Sequence, residues 1–201
     1  MQRFLPIYLL LFAHAVTAQS QPDPGLLIAA INDTRAHKDS LLAYGADSPM
    51  RSADLESFKG LEYYPIDLDY RLIGEMHIYG RQRQIEVPDT GGSTITMERF
   101  GRLYTTWRGK EFWIEVYRGL ESGVIEAFFK DETNDKTTYS GGRYVRITPA
   151  SDGLYVLDFN MAYNPYCDYN PEYICPMPPP QNYLPFAVEA GELDYGTDLA
   201  H

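Results

Sequence analysis

The sequence is poor in the residues that most catalytic and metal sites are built from. Its 201 residues include only two cysteines and four histidines. No histidine stands at ligand spacing from Cys167 or Cys175, and two thiolates alone do not fill a tetrahedral zinc shell. Neither metal nor cofactor is therefore expected. GxSxG, HExxH and a cysteine beside a plausible base are all missing, which removes the standard nucleophile families. Asp131, Thr133 and Asp135 open like a calcium loop, but Lys136 and Gly142 stand where that loop needs a glycine and a bidentate glutamate. The Gly141-Gly142 pair follows no GxGxxG spacing and opens no helix, so it is not a phosphate loop. Positive charge is also scarce: 17 Lys and Arg against 28 Asp and Glu, a net of −11. A chain this acidic repels phosphate backbones and anionic lipid surfaces, so nucleic acid is not an expected partner. Long apolar runs are missing too. Phe4 to Phe12 is about half of the roughly 20 residues a membrane-crossing helix needs, and no stable membrane insertion is expected.

That short run has another use. Arg3 precedes it, and small residues follow at Ala13, Ala15 and Ala18. This is the layout of a secretory signal peptide over residues 1–18, cleaved near Ala18. The protein is then exported, periplasmic or secreted, and residues 19–201 form a single β-rich domain with 16 basic and 28 acidic residues. Outside the reducing cytoplasm Cys167 and Cys175 can pair. The closed loop, CDYNPEYIC, is short, and chain entropy assigns such a disulfide about 2.5 kcal/mol.

Asp23-Pro24 is a helix start, a capping carboxylate followed by a proline whose missing donor costs nothing at that position. Leu27, Ala30, Ile31, Thr34, Lys38, Leu41 and Leu42 follow at helical spacing, which predicts one amphipathic helix over about 23–44. His37 on it reads as a solvated surface residue. Beyond Tyr70 the period changes from 3.6 to 2. YRLIGEMHIY, RQIEV, TITME, GRLYTTW, EFWIEVYR, GVIEAFF, RYVRIT, LYVLDFN and FAVEAGEL read as about nine short strands, most within residues 70–160. GVIEAFF is apolar on both faces, the mark of a central strand. Turns, not helices, separate these strands, so a parallel sheet with crossover helices is excluded. The fold class is mainly β: an antiparallel β-barrel or β-sandwich with one N-terminal amphipathic helix.

What the chain does offer is carboxylates, phenols and one unusual segment. Residues 160–186 hold both cysteines, seven prolines and five tyrosines, with no lysine or arginine. Proline fixes φ and removes donors, so CPMPPPQNYLP reads as an extended, polyproline-like crossing. Such a long irregular segment is uncommon in a compact domain and often functional. It reads as a cover across the end of the sheet that carries Asp158 and Asn160, with a plain structural strap as the alternative. Arg143, on the preceding strand, is the candidate partner for Asp158. Candidate acid–base and charge-stabilising residues are Asp131, Arg143, Asp158 and Glu192. Candidate ligand-binding residues are Tyr139, Arg143, Asp158, Asn160, Tyr163, Asn164 and Asn182.

The blocks FKDETNDKTTYSGGRY, DFNMAYNPYC, CPMPPPQNYLP and VEAGE, in this order, resemble the bacterial domain-of-unknown-function family numbered 1684. SPM followed by FKGLEYYPID fits as well. The resemblance implies an exported or envelope-associated bacterial protein and supplies no activity. Ser140, Gln181 and Leu193 depart from the family pattern, which has glycine, glutamate and lysine there. If a carboxylate at position 181 served catalysis, this member lacks it. Three readings follow. The first is binding of a small polar ligand, such as a sugar or cell-envelope fragment, in a cleft roofed by the Tyr/Pro/Cys segment. Aromatic faces stack on such ligands, and carboxylates and amides orient them. The second is a metal-independent hydrolase or lyase using paired carboxylates. The third is a structural envelope protein.

Overall fold

The computed structural model describes residues 22–196. The expected signal peptide and His201 lie outside the described residues. Helix α1 (Pro24–Tyr44) starts as the sequence predicts: Pro24 is in the first turn, and Asp23 Oδ1 accepts from the Leu26 amide at 3.1 Å. Its docking face is less apolar than the spacing suggests. Ile31 and Leu42 are buried, Ala30, Thr34 and Leu41 are exposed, and Arg35 and Lys38 are half-buried beside the domain. Helix α2 (Ser52–Leu55) is one turn in the connector. No helix among the described residues is long and apolar enough to cross a membrane.

Six strands follow: β1 (Arg71–Pro88), β2 (Thr94–Trp107), β3 (Lys110–Arg118), β4 (Ile125–Phe129), β5 (Arg143–Pro149) and β6 (Leu154–Asp158). Each pairs antiparallel with the next, and β6 pairs back to β1, which closes a barrel. The strand count differs from the sequence reading because neighbouring short runs are continuous. YRLIGEMHIY and RQIEV are both β1, joined across a bulge between Ile78 and Arg83, and TITME and GRLYTTW are both β2. A bulge breaks the alternation of side chains without ending the strand, so the two halves look separate in sequence.

Two hairpins are set by local chemistry. Trp107 pairs with Lys110 across Arg108-Gly109, whose φ values are 47° and 77°. Asp152-Gly153, at 57° and 76°, turns β5 into β6. Positive φ at both central residues is the two-residue hairpin turn, and glycine at the second position adopts it without strain.

The barrel is filled. Leu103, Ile114, Val116, Phe129, Val145 and Leu157 belong to one buried cluster, and Leu184, Phe186, Val188 and Ala190 join it from the C-terminal segment. A second cluster lies on the other side of the wall, where Val87, Phe128 and Tyr144 pack against Cys167 and Cys175. Strand β4 is thus covered on both faces, with Ala127 and Phe129 in one cluster and Phe128 in the other. This is the physical origin of the apolar residues on both its faces, interrupted only by Glu126.

The C-terminal stretch FAVEAGEL forms no strand of the barrel. Its one bridge joins Glu192 to Tyr63. The cover around helix α3 (Tyr166–Tyr169) is tied down instead by isolated bridges, Tyr163 to Tyr144 at its start and Asp89 to Pro176 further on.

Candidate functional site

The residues singled out from sequence fall into four places. The first is the end of the barrel interior. Arg143 shares the parity of Val145 and Ile147 on β5 and is fully buried. It does not meet Asp158. Its Nη2 donates to Asp131 Oδ2 at 2.9 Å and to the Val188 carbonyl at 2.8 Å, and its Nη1 donates to the Ala190 carbonyl at 2.5 Å. Asp131 Oδ1 accepts from the amides of Thr133 and Val188. Arg143 therefore does for the C-terminal segment what a neighbouring strand would do, binding its carbonyls in sequence. The register explains why Asp158 is out of reach. Ile147 lies opposite Leu157, so Arg143 and Asp158 stand three positions apart along the ladder, about 10 Å. Gly142, at φ 96°, makes the approach of the loop possible: a Cβ there would lie 2.6 Å from the Phe129 carbonyl oxygen.

Asp158 instead holds Asn160. Its Oδ1 accepts from the Asn160 amide and side chain, both at 3.0 Å, and Arg71 lies 3.7 Å from Oδ2. Burial raises the Asp158 carboxyl above its ordinary range, partly offset by those hydrogen bonds. Asn160 in turn exchanges hydrogen bonds with the backbone of Asp67, fixing the entry to the barrel.

Asn182 plugs the barrel wall. Strands β3 and β4 pair only at Tyr117–Glu126 and Arg118–Ile125. Where they part, the Asn182 side chain accepts from the Glu115 amide at 2.7 Å and donates to the carbonyls of Glu115 and Phe128. Glu115 itself was not legible as a special residue. Its carboxylate is fully buried. Burial works against its charge, but hydrogen bonds from Arg99, Tyr79 and Arg102 outweigh that and hold the carboxyl below its usual range.

Glu192 is the centre of a third group. Its Oε1 takes the Lys38 ammonium of α1, and its Oε2 accepts from the Tyr169 hydroxyl at 2.5 Å and the Asn164 amide at 2.8 Å. Tyr163 lies alongside, its hydroxyl donating to Glu126 at 2.7 Å. The sequence points to Glu192, Tyr163 and Asn164 but not to Lys38, which its spacing places on the packing face of the helix.

The fourth place is an open cleft of roughly 510 Å³ between the cover and the loop that joins β4 to β5. Tyr139, Thr138 and Lys136 line one wall, and Cys167, Asp168 and Tyr173 the other. Of the predicted site residues only Tyr139 and Cys167 line it. Asn164 is one hydrogen bond behind, its Nδ2 donating to Asp168 Oδ2 at 2.8 Å. Burial, with a further push from the Asp194 carboxylate, raises the Asp168 carboxyl to about 7. Asp168 carried no sequence signal beyond its place in YCDYN. The two cysteines are neighbours, unbonded in the structure, with the Cys167 amide donating to Cys175 Sγ at 3.3 Å. A hydrogen bond from the Cys175 thiol brings the Cys167 thiol down to about 7, against its burial. Among the described residues no three His, Cys, Asp or Glu side chains converge as metal ligands.

The molecule is thus a filled six-stranded antiparallel barrel whose open cleft lies outside the barrel, under a strapped cover. The model of the family described as Protein of unknown function (DUF1684) matches residues 56–193, and the chain belongs to that family. The solution NMR structure of an uncharacterized protein of Haloarcula marismortui is similar, at 30% identity and a TM-score of 0.68, over 88% of this chain and 97% of that one. No curated protein matches the chain.

Proposed function

We propose that the protein binds a small polyhydroxylated ligand, a sugar or a cell-envelope fragment, in the cleft between the Tyr/Pro/Cys cover and the loop after β4. The observation that carries this reading is the composition of the cleft. Tyr139 and Tyr173 supply aromatic surface, while Asp135, Lys136 and Ser140 supply exposed acceptors and donors, in a concavity of small-ligand size with the Asp168 carboxyl buried directly behind it. Aromatic faces stack on sugar rings, and carboxylates accept from hydroxyls. The barrel interior is occupied by core side chains and by Leu184, Phe186, Val188 and Ala190 of the C-terminal segment. The N-terminal layout supports an exported location, which would bring envelope sugars within reach.

The test is a thermal-shift and NMR titration with neutral envelope sugars. A ligand at a hundred times its Kd stabilises the fold by about 2.7 kcal/mol. Tyr139→Ala should abolish that gain and leave the free protein folded. If no sugar stabilises the wild type, or if Tyr139→Ala binds equally well, the cleft is not the site. One observation favours a second reading, a metal-independent hydrolase or lyase: a carboxyl held near 7 beside an open cleft is poised for proton transfer at neutral pH.

A further inference from the structure

The surroundings of Glu192 have the chemistry of a receptor for organic cations. We propose that Glu192, Tyr63, Tyr163 and Tyr169 form a binding site for a ligand carrying a primary amine or a guanidinium, and that α1 occupies this site with its own side chains. The Lys38 ammonium is held by the Glu192 carboxylate and donates to the Tyr169 hydroxyl at 2.9 Å. It also lies 5.1 Å from the centre of the Tyr163 ring and 5.2 Å from that of Tyr169. One helical turn earlier, the Arg35 guanidinium lies 4.3 Å from the Tyr63 ring centre and donates to the carbonyls of Tyr64 and Asn160. A cation over aromatic faces, next to one carboxylate and facing carbonyl oxygens, is how proteins recognise free ammonium and guanidinium groups.

Two further observations separate a site from mere packing. The first is how lightly the helix is held by apolar contact. Among the described residues of α1 only Ile31 and Leu42 are buried, while Leu26, Leu41 and Tyr44 are exposed. The basic pair is thus a large part of what docks the helix. The second is what the helix fails to satisfy. Tyr63 Oη, Asn164 Oδ1 and Arg35 Nε are buried with no hydrogen-bond partner, and all three belong to this group. Buried polar atoms are normally paired. A helix side chain, tethered at its Cα, leaves them unmet. A free ligand can present its own donor to Asn164 Oδ1 and an acceptor to Tyr63. Lys38 keeps 24% of its side chain exposed, so the site opens to solvent along that side chain.

The test uses the full chain with Arg35→Ala and Lys38→Ala together, and agmatine as the probe, since it carries both a guanidinium and an ammonium. The double variant should bind agmatine at least tenfold more tightly than the wild type by calorimetry, and agmatine should raise its melting temperature more than it raises the wild type's. Adding Glu192→Gln should remove the binding. Equal affinity in variant and wild type, or binding that survives Glu192→Gln, overturns the proposal. A double variant that does not fold leaves the decision to the wild type. There, agmatine at tens of millimolar should shift the amide resonances of α1, and no shift overturns the proposal as well. Neutral sugars serve as the control arm, because they address the outer cleft and not this site.

Discussion

Arg143 and Asp131 meet at 2.9 Å with neither side chain accessible to solvent. The contact joins the start of β5 to the loop after β4, and the same guanidinium holds three backbone carbonyls of the C-terminal segment, those of Val188, Ala190 and Glu192. A buried charge of this kind cannot lose its partner cheaply. Water does not reach the survivor, and the carbonyls lose their donor as well.

Arg143→Ala is therefore expected to destabilise the protein by about 3–5 kcal/mol, and Asp131→Asn by a similar amount. The double variant should cost much less than the sum, because the two act as one unit. Asp158→Asn serves as contrast. Its partners are Asn160 and a more distant Arg71, and a loss of about 1 kcal/mol is expected. Denaturant unfolding of the four variants checks this. Equal costs for Arg143→Ala and Asp158→Asn would mean that Arg143 is not the anchor of the C-terminal segment.

Asn182→Ala should cost at least about 3 kcal/mol, since it leaves the Glu115 amide and the carbonyls of Glu115 and Phe128 unpaired in the barrel wall. Hydrogen exchange should show the loss first at the amides of β3 near Glu115. Wild-type protection there would mean that water replaces the side chain.

The pH dependence of stability should carry the mark of Asp168. Its carboxyl is raised to about 7 by burial, against an ordinary value of 3.8. Between these two values the unfolded chain has lost the proton and the folded chain keeps it. Stability from this group is full below about pH 4, falls as pH rises, and is gone above about pH 7. Asp168→Asn keeps an oxygen to accept from Asn164 and removes the titration. The wild type should lose roughly 2–4 kcal/mol relative to this variant between pH 4 and pH 7. Parallel stability curves for the two proteins would refute the assignment.

The cysteine pair is expected to be oxidised in exported protein. Thiol titration of denatured, unreduced protein taken from the periplasm should find no free thiol, and two thiols would mean that the pair stays reduced there. Cys167→Ser should loosen the cover, with limited proteolysis cutting first between Asn164 and Gln181. Both cysteines pack against Phe128 and Tyr144 on the outside of the wall, while the barrel interior is a separate cluster. The far-ultraviolet circular dichroism of the strands should therefore persist.

What the sequence determined by itself was local. The capping of α1 by Asp23-Pro24, the turns at Arg108-Gly109 and Asp152-Gly153, and the alternation of Phe112, Ile114 and Val116 all follow from interactions within a few residues, where chain geometry leaves few choices. The double-faced burial of β4 was legible for the same reason, because a strand covered on both sides carries apolar residues at both parities, as Ala127, Phe128 and Phe129 do. Tertiary structure decided the pairing of charges. The hairpin pattern points Arg143 to Asp158, but the β5–β6 register and the path of the C-terminal segment give it Asp131 instead. Lys38 reads as one position of the packing face of its helix, and it becomes the partner of Glu192 only because α1 docks beside the C-terminal segment. A buried charge selects its partner by desolvation, and desolvation is a property of the closed structure that no stretch of sequence carries alone.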